Sequence, residues 1–105
     1  MEGTNYTNYS IVYYPRLVKI TGDIKGAIFL SRLLHWIDEQ NSGWINKTQQ
    51  EIEEETGLSR YEQENIRKKL RTKGFLLEKY EGVPRKLFFA VNIEKIKSSL
   101  NITGE

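Results

Sequence analysis

Between Ser59 and Lys73 the chain concentrates side chains suited to holding an anion: Arg60, Arg67, Lys68, Lys69, Arg71 and Lys73. Helical spacing divides them. With Ile66 and Leu70 on the buried side, a rotation of about 100° per residue leaves Arg60, Tyr61, Glu64, Asn65, Lys68, Arg71 and Thr72 on the opposite face. Gln63 and Lys73 flank the apolar stripe, and Arg67 lies at its edge. Arg and Lys meet phosphate oxygens or guanine edges, Asn pairs with adenine, and Tyr stacks or donates to phosphate. Glu64 is the dissenting residue, since a carboxylate either accepts from a cytosine amine or repels phosphate.

Other chemistries lack their residues. There is no cysteine, which excludes disulfides, thiol catalysis and Cys-ligated zinc. A single His35 leaves no pair for a two-histidine metal site, and it reads as a packing or surface residue. Glu51, Glu53, Glu54 and Glu55 point in different directions on a helix, so they read as a solvated face rather than a metal cluster. No glycine-rich phosphate loop occurs. The expectation is a non-enzymatic protein without cofactor.

Net charge conceals where the charge sits. Sixteen Lys+Arg against fourteen Asp+Glu give only +2. Residues 38–57 nevertheless hold six acids against Lys47 alone, a net of −5, and residues 58–88 hold nine bases against four acids, a net of +5. Such a split suggests one face directed at an anion. At 105 residues one domain is expected, and 38% hydrophobic residues supply a modest core. No run is apolar and long enough to span a bilayer. The opening MEGTNYTNYS has no basic region followed by an apolar one, so no signal peptide and a cytoplasmic location are expected.

The elements that position the basic face follow from caps and periodicity. Pro15 suits the first turn of a short helix carrying Leu17, Val18 and Ile20, stopped at Thr21-Gly22. Asp23 caps a long helix to about Gln40, with Ile24, Ala27, Ile28, Leu30, Leu34 and Ile37 as its stripe and Leu33 and Trp36 widening it. Asn41-Ser42-Gly43 turns the chain into a very short strand, Trp44-Ile45-Asn46. Thr48-Gln49-Gln50-Glu51 and Ser59-Arg60-Tyr61-Glu62 are two capping boxes, each opening a helix, and Gly57 and Gly74 stop those helices. Phe75–Glu78 and Leu87–Val91 read as strands around the turn Glu81-Gly82-Val83-Pro84. Asn92 caps a last helix whose Ile93, Ile96 and Leu100 either close the core or form a dimer seam.

Two helices joined by a tight turn and followed by a hairpin make a winged helix-turn-helix, a mainly α fold with a small β-hairpin (α+β). The stretch Gly43-Trp44-Ile45, Thr48-x-x-Glu51-Ile52, Thr56-Gly57-Leu58-Ser59 and Ile66-x-x-x-Leu70-x-x-x-Gly74-Phe75-Leu76 resembles winged-helix domains of phage- and plasmid-encoded DNA-binding and replication proteins. So do Leu33-Leu34-His35-Trp36 before the strand and the basic wing Gly82-Val83-Pro84-Arg85. The resemblance implies duplex DNA binding in replication initiation or transcriptional control of a mobile element. Tyr6, Tyr9, Tyr13 and Tyr14 invite a nucleophilic tyrosine like that of rolling-circle initiators, but one histidine cannot supply the paired-histidine metal site those enzymes share. An N-terminal arm packing on the domain or on a second subunit explains them better.

The expected organisation is an arm over 1–13, a winged-helix domain over 14–100 and a tail over 101–105. The expected DNA contacts are Arg60, Tyr61, Glu64, Asn65, Arg67, Lys68 and Arg71 on the recognition helix and Lys79, Arg85 and Lys86 on the wing. Thr48, Gln49 and Ser59 at the two helix starts would meet the phosphate backbone. Expected partners are double-stranded DNA, a second copy of the chain, and replication or transcription proteins. The rival is a protein-interaction module, an adaptor or inhibitor that docks through the acidic stretch or the Tyr-rich arm.

Overall fold

The structure, a computed structural model, describes residues 14–100. Tyr6, Tyr9 and Tyr13 of the expected arm, and the expected tail, lie outside the described residues. A 3-10 turn at Pro15–Leu17 leads into α1 (Val18–Thr21), followed by α2 (Ile24–Gln40), β1 (Ile45–Asn46), α3 (Gln49–Thr56), α4 (Arg60–Lys73), β2 (Leu76–Glu81), β3 (Lys86–Val91) and α5 (Ile93–Leu100). Helices dominate, and one antiparallel three-stranded sheet ordered β1-β3-β2 carries the C-terminal hairpin. This topology is compatible with a winged helix.

The caps act as the residue types dictate. Asp23 accepts from the Gly26 amide at 2.7 Å. Both capping boxes close: the Glu51 and Glu62 amides donate to Thr48 and Ser59, while the two carboxylates accept from the Thr48 and Ser59 amides. Gly57 and Gly74 end α3 and α4 with φ of 80° and 86°, a left-handed conformation in which a Cβ is strained. The chain therefore leaves α3 and enters α4 within three residues, and buried Leu58 pins that turn to the core.

The core lies between α2, the sheet and the paired helices α3 and α4. α2 contributes Phe29, Leu30, Leu33 and Trp36; Ile45, Ile52, Ile66, Leu70, Phe75, Leu76 and Phe89 meet them. Phe29 and Phe89 pack edge to face, 6.3 Å between ring centres. This rotates the expected stripe of α2. Ile24 is 52% exposed and Phe29, absent from that stripe, is buried. Side chains lean toward a helix N-terminus, so Ile24 in the first turn overhangs the end of the core. α5 closes the core: Ile96 is buried and Leu100 packs against it, whereas Ile93 stays exposed. Arg16 donates to the Leu100 carbonyl and ties the two ends of the domain together.

Both hairpin strands are longer than expected, because Glu81 pairs with Lys86 and the turn moves to 82–85. β1 pairs with β3 through Ile45 opposite Phe89, and Asn46 Nδ2 donates to the Leu87 carbonyl at 2.8 Å. The hairpin is thus fastened along its β3 edge, while β2 packs beside α4.

Candidate nucleic-acid interface

A groove of ≈ 1170 Å³ runs between the start of α3, one flank of α4 and the hairpin. Of the residues expected to contact DNA, it gathers Thr48 and Gln49, then Glu64, Asn65, Arg67, Lys68 and Arg71, then Arg85 and Lys86. Six cations line it, with Lys47 added to those five, against the carboxylates of Glu51, Glu54 and Glu64. The excess is positive, and a cleft of net positive charge raises the local concentration of anions.

The fold fixes how α3 and α4 meet in this groove. Gln63 is fully buried, not flanking the stripe as its polarity suggested. Its Nε2 donates to the Gln49 carbonyl at 3.0 Å and to the Leu58 carbonyl at 2.9 Å. One amide thereby locks the start of α3, the turn and α4 together, although its Oε1 finds no partner among the described residues. Gln49 Nε2 also lies 3.4 Å from a Glu64 oxygen, so the dissenting carboxylate is partly engaged inside the protein.

Two basic residues are anchored. Glu78 of β2 accepts from Arg67 Nε at 2.7 Å and Nη2 at 3.2 Å, and from Arg71 Nη1 at 3.0 Å. Arg67 and Glu78 are nearly enclosed, at 12% and 10% side-chain exposure, while Arg71 keeps 43%. The hydrogen bond to Glu78 and its charge hold the Arg67 guanidinium above its usual range, against the opposing effect of burial. Arg67 also lies over the Phe89 ring, 5.6 Å from its centre. It is therefore a strut between α4 and the sheet, not a free edge residue. Lys68 is exposed on α4, and Arg85 stacks on Tyr80 with 4.5 Å from guanidinium carbon to ring centre.

Four expected contacts lie elsewhere. Lys79 points to the sheet face opposite Glu78 and Tyr80, since strand side chains alternate. Its Nζ sits 4.4 Å from the centre of the Trp44 ring and 3.5 Å from Glu81. Ser59 and Tyr61 line a smaller hollow of ≈ 580 Å³ on the other flank of α4, with Lys25, Ile66 and Lys69. Arg60 is exposed at the first position of α4 and lines neither cavity. The helix starts are also less open than expected. The Glu51 and Glu62 carboxylates occupy the Thr48 and Ser59 amides that a phosphate would use. A capping box supplies its own anion, so this was implicit in the motif.

Lys47, Tyr80 and Glu78 belong to the site but escaped the sequence reading. Lys47 immediately precedes the cap of α3, and its Nζ lies 4.6 Å from the centre of the Trp36 ring. Tyr80 and Glu78 share a parity along β2, a signal available once the strand is extended to Glu81. Neighbouring acids on α3 are partly used: Glu55 pairs with Arg32, and Glu54 accepts from Gln50. His35 is partly exposed, 3.9 Å from Glu39. Among the described residues no group of three or more His, Asp or Glu is placed to hold a metal, and no helix is long and apolar enough to cross a membrane.

The chain matches no family model, no curated protein and no solved structure.

Proposed function

We propose that this domain is a winged-helix DNA-binding module that holds duplex DNA across the groove between α4 and the hairpin. One observation carries the reading: the fold brings basic and amide side chains from the start of α3, from α4 and from the wing to one concave surface. α4 presents Asn65 and Lys68 to the major groove, and Lys47, Arg71, Arg85 and Lys86 neutralise phosphates on either side. The chemistry is occupancy, without a bond made or broken, in replication initiation or transcriptional control of a mobile element. Two copies on adjacent half-sites would raise specificity.

Reversing charge on the exposed face tests this directly. Lys68→Glu with Arg71→Glu abolishes binding to a mixed-sequence duplex in the DNA reading. Unchanged binding with unchanged salt dependence would show that the face is wrongly assigned.

A protein-interaction role is favoured by a different observation. Glu51, Glu53 and Glu54 are exposed on α3, and two of them line the groove itself. A basic partner docked there would tolerate the double reversal and lose affinity on Glu53→Lys with Glu54→Lys.

A further inference from the structure

Among the described residues Glu78 is the one carboxylate that meets both Arg67 and Arg71 of α4. It sits in mid-strand opposite Phe89, under Arg67 and within reach of Arg71 one helical turn on. Two guanidinium groups sharing one carboxylate leave one positive charge over. Arg67 is enclosed and gives Glu78 two of its nitrogens. Arg71 is more exposed, lines the groove, and gives only Nη1. Among the described residues no acceptor meets its Nε or Nη2. The excess charge therefore faces the groove at Arg71.

We propose that Glu78 is a positioning residue for phosphate capture, gripping Arg71 by one nitrogen so that the rest of its planar fork faces the groove in a fixed orientation. The proposal rests on the DNA reading and names the part of the ligand that Arg71 takes, a backbone phosphodiester. A free arginine loses rotamer freedom when it meets an anion, and Arg71 has already lost part of it on folding. The same carboxylate braces α4 against β2, so the fork and the wing keep a constant separation.

This role differs in sign from that of a plain counter-ion. Glu78→Gln removes a negative charge beside the groove. By Coulomb's law alone that variant binds DNA more tightly. If Glu78 positions Arg71, the variant binds more weakly.

The test is the affinity of the full chain for a mixed-sequence fluorescent duplex at one low salt concentration, for wild type, Glu78→Gln, Arg71→Ala and the double variant. Each single variant is expected to bind about tenfold more weakly, the scale of one charged hydrogen bond. The double variant is expected to match Arg71→Ala, because Glu78 acts through Arg71. Equal or tighter binding by Glu78→Gln overturns the proposal. So do losses that multiply in the double variant, the signature of two residues acting independently. Should Glu78→Gln fail to fold, Arg71→Lys carries the test, since it changes an exposed side chain, keeps the charge and removes the fork. It is expected to lose about tenfold, and wild-type affinity would overturn the proposal. Failure of the wild-type chain to bind any duplex is a separate result, which removes the DNA reading and this role with it.

Discussion

The Gln63 side-chain amide donates to the Gln49 main-chain carbonyl at 3.0 Å, from a position with no exposure to solvent. The bond joins the middle of one turn of α4 to the first residue of α3, and its second arm holds Leu58. Gln63→Ala leaves two carbonyls without their donor and opens a cavity. Chemical denaturation should show a loss of about 3 kcal/mol. Gln63→Leu fills the space and removes the unpartnered Oε1, so it should cost less than the alanine variant. Equal stability of Gln63→Ala and wild type would show that the turn does not depend on this amide.

Phe29 bridges α2 and the wing through Phe89. Its truncation to alanine should destabilise the domain by about 3–5 kcal/mol, as for other buried aromatics. Ile24→Ala, at the exposed start of the same helix, should change stability by less than about 1 kcal/mol. Thermal or denaturant unfolding of the two variants measures the contrast, and similar losses would contradict the packing described.

Acid should weaken the domain through its capping boxes. The Thr48 amide holds the Glu51 carboxyl below its ordinary value of 4.5. The Lys25 ammonium, then the Ser59 amide, hold Glu62 below the same value. A folded-state value lowered below the unfolded one gives stability that is present above pH 4.5 and disappears as the pH falls through the folded values. The same contact raises Lys25 above its ordinary value of 10.5, so that part persists below this pH and fades as the pH rises through the folded value. Unfolding midpoints should fall below pH 4.5 in the wild type and fall less in Glu51→Gln with Glu62→Gln. An equally steep acid limb in that variant would assign the effect to other carboxylates.

The two faces of the wing should behave differently. Arg85→Ala removes the groove cation stacked on Tyr80 and should lower both the affinity for duplex and its salt slope, by about one unit if it meets a phosphate. Lys79→Ala alters the opposite face and should leave duplex affinity unchanged. A strong effect of Lys79 alone would place the ligand on the other side of the sheet.

Much of this architecture was legible in the sequence because punctuation residues act locally. Asp23, Thr48 with Glu51, Ser59 with Glu62, Gly57 and Gly74 fix where helices start and stop through bonds spanning at most four residues. Features set by tertiary packing were harder to read. Gln63 falls on the stripe of Ile66 and Leu70 by spacing, yet its polarity masked the burial. Arg67 and Arg71 look like free cations until β2 brings Glu78 beneath them. Lys79 lies off the groove because its parity along β2 turns it to the other face of the sheet. The groove holds its basic side chains together with one strut, one anchored fork and two self-capped helix starts.

DNA binding by this domain requires that the groove take phosphate. Binding of the purified chain to a mixed-sequence fluorescent duplex, titrated at several salt concentrations, measures this. Lys47, Lys68, Arg71, Arg85 and Lys86 present up to five cations, so log affinity should fall against log salt with a slope of about −3 to −5. A slope near zero, or no binding at low salt, would contradict the DNA reading and turn attention to a basic protein partner on α3.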